Sequence, residues 1–153
     1  MSHSILPTKL SQSRGREAWL AVVRAYLRCD AVLVARLAAV GVRIGEHEVL
    51  INLVRTPGMT QQQLAQHSFA AKSSVSMLIT HMEKQGLVVR KADATDARVK
   101  RVYLTRTGSV LAGKSIKIQA DLVDGMTQTF TDEELGMIET AMQRSSDQLE
   151  TMR

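Results

Sequence analysis

The sequence predicts a mainly α-helical chain that carries one small β-hairpin. Three observations predict it. Apolar residues recur at spacings of three and four along most of the 153 residues. The period falls to two in two short runs, Leu87–Lys91 and Arg101–Thr105. Helix-opening Thr and helix-stopping Pro or Gly signals stand between the segments.

A first helix spans about Arg16 to Val40. Trp19, Val22, Val23, Tyr26, Leu27, Leu33, Val34 and Leu37 form its apolar stripe, and Gly41 and Gly45 bracket the exit. A second fits Glu46–Arg55, with Val49, Leu50, Leu53 and Val54 inward, and Thr56-Pro57-Gly58 ends it. Thr60-Gln61-Gln62-Gln63 has the form of a capping box and opens a very short helix over Leu64 and Ala65 that closes near His67. A tight connection, Ser68-Phe69-Ala70, leads to a helix over about Ala71–Gln85. There Val75, Leu78, Ile79 and Met82 face inward, and Gly86 is the stop. The two strands follow, joined by a polar tip at Asp93–Arg98. After Thr107-Gly108 a long helix carries Val110, Leu111, Ile118, Leu122 and Met126. Thr131-Asp132-Glu133-Glu134 caps a last helix bearing Leu135, Ile138, Met142 and Leu149. Residues 1–13, with Pro7 and several Ser/Thr, read as loosely held.

The chain is the size of one ordinary domain, and a composition of 44% hydrophobic and 23% charged residues places it in the globular class. No apolar stretch approaches the roughly 18 residues a membrane span needs. The N-terminus shows no secretion signal. The single cysteine, Cys29, excludes an intrachain disulfide and fits a cytoplasmic location. Enzyme chemistry finds no support. There is no phosphate-cradling glycine loop, and no Ser or Cys nucleophile pairs with His3, His47, His67 or His81. Nor is a metal or cofactor implied, because Glu46, His47 and Glu48 are helix neighbours that point apart.

Charge is uneven. Residues 60–106 hold eight Lys/Arg against three acids, whereas residues 121–153 hold eight acids against two arginines. A polyanion partner belongs at the basic middle, unless that segment is simply a solvated hairpin.

A short helix, a turn, a second helix and a two-stranded ribbon together make a winged helix-turn-helix. Such a helix fits the major groove of B-DNA, and the ribbon lies over the neighbouring minor groove. The candidate groove-facing residues are Lys72, Ser73, Ser74, Ser76, Met77 and Thr80, preceded by Thr60 and Gln61. Serines at a helix start also serve as plain caps. On the ribbon, Asp96, Arg98, Lys100 and Arg101 supply the remaining candidates.

The run from Asp96 to Gly108 fits D-x-R-x-x-x-V-x-L-T-x-x-G. Together with Leu64-Ala65, Val75-Ser76, Glu83–Val88 and Arg90, it resembles the MarR family of winged helix-turn-helix transcriptional regulators. The resemblance runs from about Trp19 to Gly108, and more loosely to the end. It implies that Arg98 is the wing arginine entering the minor groove and that Asp96 holds it by an ion pair. It implies one MarR-like domain over residues 1–153, with a DNA-binding lobe at 46–106 and helical dimerisation regions at 14–42 and 107–153. A homodimer would bind an inverted-repeat operator in double-stranded DNA. The chain departs from the pattern at Ser68-Phe69, where glycine is frequent in the turn.

The resemblance further implies an effector site: members of the family usually release DNA when a small, often aromatic or phenolic, compound binds between the dimerisation helices and the DNA-binding lobe. Trp19, Tyr26 and His47 are the candidates for that site, with core packing as their alternative role. Cys29 offers a second trigger, thiol-based redox sensing, or is a buried small residue. A winged-helix module for protein contacts is a further reading, against which the basic hairpin argues.

Overall fold

The computed structural model describes residues 14–68 and 74–153, which fall into two compact units, one ending at Gln119 and one at Ala120–Arg153. Described in chain order are α1 (Arg14–Ala38), α2 (Ile44–Arg55), β1 (Met59–Thr60), α3 (Gln61–His67), α4 (Val75–Lys84), β2 (Val88–Ala92), β3 (Lys100–Leu104), α5 (Arg106–Thr127) and α6 (Asp132–Glu150). The expected N-terminal stretch 1–13, the Phe69-Ala70 connection and the start of the helix at Ala71 lie outside the described residues.

The core of the first unit is built from α2, α3, α4 and the sheet. Leu50, Leu53, Leu64, Val75, Ile79, Met82, Val88 and Val102 are all inaccessible to solvent or nearly so. Each such side chain stabilises the fold by about 1.5–3 kcal/mol relative to leaving it in water. Three small departures from the expected pattern have local causes. Helix α2 begins two residues before Glu46, because the Glu46 carboxylate accepts the Arg43 N–H at 2.8 Å and caps an earlier turn. Leu78 is only half-buried, and Val54 is exposed on the solvent side of α2.

The sheet has three strands in the order β1-β3-β2, all antiparallel. Two residues are too few to show a period, so β1 was invisible in the sequence. Met59 and Thr60 pair with Val102 and Arg101. The hairpin register places Arg90 opposite Val102 and Ala92 opposite Lys100, one residue along from the expected strand limits. Gly58 precedes β1 with φ +79°, and a Cβ there would meet the Tyr103 hydroxyl at 2.8 Å. The expected capping box on α3 is present: Thr60 Oγ1 accepts the Gln63 N–H at 3.2 Å, and Gln63 Oε1 accepts the Thr60 N–H at 2.9 Å.

The long helices differ most from expectation. On α1 only Leu33 and Leu37 are buried, while Trp19, Tyr26, Leu27 and Val34 are exposed in the single chain. Core packing within one chain is therefore not the role of Trp19 or Tyr26. Helix α5 buries Gly108, Ala112 and Ser115, with Val110 and Met126 exposed. In the second unit Thr131 caps α6 through Glu134 as the sequence indicates. Helix α6 has no buried residue. Leu135, Ile138 and Leu149 face solvent there.

Candidate nucleic-acid interface

Helices α3 and α4 and the β2–β3 wing present the candidate residues from one unit. Ser76, Met77 and Thr80 are exposed on α4 and Ser74 at its N-cap, with Met77 77% exposed. Lys72 and Ser73 lie outside the described residues. Thr60 and Gln61 sit half-buried at the start of α3, where the Thr60 hydroxyl already serves the cap.

The wing is ordered by two acids. Asp93 Oδ2 accepts from the Thr95 hydroxyl at 2.6 Å, the Thr95 N–H at 3.0 Å and the Asp96 N–H at 3.2 Å, which folds the tip. The Thr95 hydroxyl, and then the Arg101 guanidinium, hold the Asp93 carboxyl far below the usual carboxylate range. Asp96 binds Arg98 through three contacts: the Arg98 N–H at 3.0 Å, Nε at 3.1 Å and Nη2 at 3.2 Å. That pairing keeps Asp96 ionised by lowering its pKa. The Arg98 side chain nonetheless stays 91% exposed. Lys100 is also exposed.

Arg101 is placed differently from its grouping with Arg98 and Lys100. Its Nε pairs with Asp93, and its Nη1 donates to the Gly58 carbonyl at 2.9 Å, so it braces the wing against the segment before β1. Sequence reading also passed over the site role of Arg90. The sequence offers it only as part of the family pattern, yet its side chain is 19% exposed and ties β2 to α3 and α4. The one available signal was Glu83, which supplies its carboxylate partner from across the α4–β2 turn.

A cavity of about 240 Å³, with no lining residue from α4 or the wing, is lined by Tyr26, Asp30 and Leu33 of α1, His47, Ile51 and Arg55 of α2, His67 of α3 and Gln119 of α5. Tyr26 and His47 thus come together as the sequence suggested, whereas Trp19 does not line it. His47 is only 2% exposed, and neither ring nitrogen has a well-formed hydrogen-bond partner. Burial lowers its pKa, and the Gln119 side chain opposes that shift. Cys29 is half-buried and unbridged. Among the described residues there is no group of three or more His, Cys, Asp or Glu that could hold a metal, and no helix long and apolar enough to cross a membrane.

A short helix, a second helix with an open polar face, and a hairpin with an exposed arginine at its tip define a winged helix-turn-helix protein. Residues 40–99 match the model of the MarR family, and this supports a MarR-family transcriptional regulator. A curated relative is the uncharacterised HTH-type transcriptional regulator YsmB of Bacillus subtilis, 31% identical over 86 residues. The match takes in 56% of this chain and 59% of YsmB, so the chain spans little more than half of that relative. Among solved structures, the MarR family transcriptional regulator AbsC of Streptomyces coelicolor superposes with a TM-score of 0.82 at 24% identity, covering 94% of this chain and 99% of AbsC. BpsR of Bordetella bronchiseptica, whose DNA binding is regulated by 6-hydroxynicotinic acid, gives a TM-score of 0.74 at 18% identity, with 93% and 99% covered. At these identities the two structures speak for the fold.

Proposed function

We propose that the chain is a sequence-specific DNA-binding transcriptional repressor that works as a homodimer. In this reading residues 46–106 form the DNA-binding lobe, and residues 14–42 and 107–153 carry the dimerisation surfaces. The exposed apolar residues Trp19, Tyr26 and Leu27 on α1, and Ile138 and Leu149 on α6, belong to the partner-facing surfaces. Two copies of α4 enter successive major grooves of an inverted repeat, and each Arg98 enters the adjoining minor groove.

One observation carries this reading. Asp96 orients Arg98 through its backbone and its guanidinium while leaving the side chain 91% exposed. A long cation held in place at a hairpin tip suits the narrow, electronegative minor groove.

The His47 cavity is the proposed effector site. A buried imidazole whose ring nitrogens lack a well-formed hydrogen-bond partner favours a small aromatic ligand bearing a hydroxyl or carboxyl group. The regulation of BpsR by 6-hydroxynicotinic acid is in keeping with that chemistry. Binding would shift the dimer between two lobe spacings and release DNA.

Fluorescence anisotropy on DNA from the protein's own upstream region tests the proposal, at two salt concentrations and against scrambled DNA. Selective binding that weakens with salt is expected. Phenols and hydroxylated aromatic acids should then reverse it, and lose that effect in His47→Leu. Equal affinity for operator candidates and scrambled DNA, after a random-sequence selection as well, overturns the DNA reading.

A further inference from the structure

Arg90 stands on the wing strand β2, but its guanidinium reaches under both helices of the DNA-binding motif. Nε donates to Gln61 Oε1 at 3.2 Å, Nη1 to Glu83 Oε2 at 2.7 Å, and Nη2 to Thr80 Oγ1 at 2.9 Å and the Ser76 carbonyl at 3.3 Å. Its backbone N–H donates to Glu83 Oε1 at 3.1 Å. A guanidinium has donors only, so the sense of every one of these bonds is fixed.

Two consequences reach the surface of α3 and α4. The Gln61 amide must turn its oxygen toward Arg90, which carries its two N–H donors to the other side of the amide. Thr80 Oγ1 must accept from Arg90, and it donates its single hydrogen to the Ser76 carbonyl at 2.9 Å. A glutamine that pairs with adenine uses its oxygen and nitrogen together on one base edge. Arg90 occupies one lone pair of Gln61 Oε1 and fixes the amide's orientation, so the nitrogen is the end of Gln61 left wholly free, as a donor. Thr80 has no donor left: it offers its methyl group and the one remaining acceptor site of Oγ1, three residues from the exposed thioether of Met77.

We propose that Arg90 is a positioning residue that sets sequence selectivity: it orients the Gln61 amide with its nitrogen free to donate, and it leaves Thr80 without a donor, so that its methyl group makes the contact. The α3–α4 surface then reads an acceptor atom at Gln61 and thymine methyl groups at Met77 and Thr80. This rests on the DNA-binding reading above. Lysine in place of Arg90 keeps the charge but cannot hold four partners in one plane.

The test compares wild type and Arg90→Lys by random-sequence selection, followed by affinities for the selected and scrambled duplexes at two salt concentrations. In Arg90→Lys the ratio of selected to scrambled affinity falls about tenfold or more, while scrambled-DNA affinity and its salt slope hold steady. A thymine-to-uracil scan of the wild-type site finds at least one position where loss of the methyl weakens binding roughly threefold. Glu83→Gln, which leaves Arg90 in place and loosens its anchor, moves selectivity the same way and covers the case in which Arg90→Lys fails to fold. A folded variant that keeps the ratio within about twofold overturns the role of Arg90. So does an equal loss on both duplexes, because a merely structural or phosphate-binding residue behaves that way. A uracil scan without any response overturns the methyl readout. Should wild type show no selectivity at all, the DNA-binding reading fails instead.

Discussion

Asp96 and Arg98 form a closed pair at the wing tip, with the Arg98 N–H and Nε both on Asp96 Oδ1, at 3.0 and 3.1 Å, and Nη2 on Oδ2 at 3.2 Å. The pair is local, two residues apart, and its cation stays open to solvent. Exposed pairs of this kind contribute little to folding. Its role is to aim the guanidinium. Arg98→Ala should therefore leave the thermal midpoint within about a degree of wild type and cost about 1–3 kcal/mol of DNA affinity. Asp96→Asn should retain part of the affinity, since the arginine survives without its guide. Full affinity in Arg98→Ala, measured by anisotropy, removes the wing from the interface.

Gly108 joins the wing to α5 by close approach. A Cβ at this position would lie 1.9 Å from the Leu87 carbonyl oxygen. Thr105 bridges the same joint, donating to the Gly86 carbonyl at 2.6 Å and accepting the Gly108 N–H at 3.0 Å. Backbone cannot yield as a flexible side chain can, so Gly108→Ala is expected to lose about 3 kcal/mol or more in urea unfolding. A loss under about 1 kcal/mol would show that the joint relaxes at little cost.

Much of this was legible from local rules. Thr60 and Thr131 announced their helices because a capping box is written in four consecutive residues. The order of the helices and the hairpin, and the Asp96–Arg98 pair, followed from period and from family pattern. The bracing roles of Arg90 and Arg101 were not legible. Each joins residues far apart in sequence, Arg90 to Gln61 and Arg101 to Gly58, and a basic residue on a strand reads the same whether it points to solvent or to a carboxylate. The stripe on α1 was seen, but periodicity cannot say whether a stripe meets its own chain or another. Trp19 and Tyr26 turned out exposed for that reason.

Asp93 governs the shape of the wing, so its removal should loosen the tip while sparing the core. Its carboxyl titrates far below the ordinary range because Thr95 and Arg101 favour the charged form. A depressed folded-state value means the contribution is present above the ordinary pKa of about 4 and is lost as pH falls below it. In Asp93→Asn the amides of Thr95–Val99 should exchange hydrogen faster at neutral pH, with Leu50 and Ile79 unchanged. The wild-type wing should approach that behaviour only in strong acid. Unaltered protection in the variant would falsify the bracing role.

His47 sets up an opposition between stability and response. Burial disfavours the imidazolium, so the folded-state pKa lies below the ordinary value of 6.5. Between that lowered value and 6.5 the unfolded chain binds more protons than the folded one. Stability is therefore undiminished above 6.5, declines as pH falls through 6.5, and stops declining from this group once the folded ring is protonated. His47→Leu removes the titration together with two buried ring nitrogens that lack a well-formed partner. It should raise stability at neutral pH by about 1 kcal/mol and flatten the profile between pH 7 and 5.5. The same variant should lose release by aromatic effectors while keeping DNA affinity, because no residue of α4 or the wing lines the cavity. Urea midpoints across that pH range, read beside effector titrations, check both halves. A variant that is less stable yet still responsive would make the imidazole a packing element and move the effector site elsewhere.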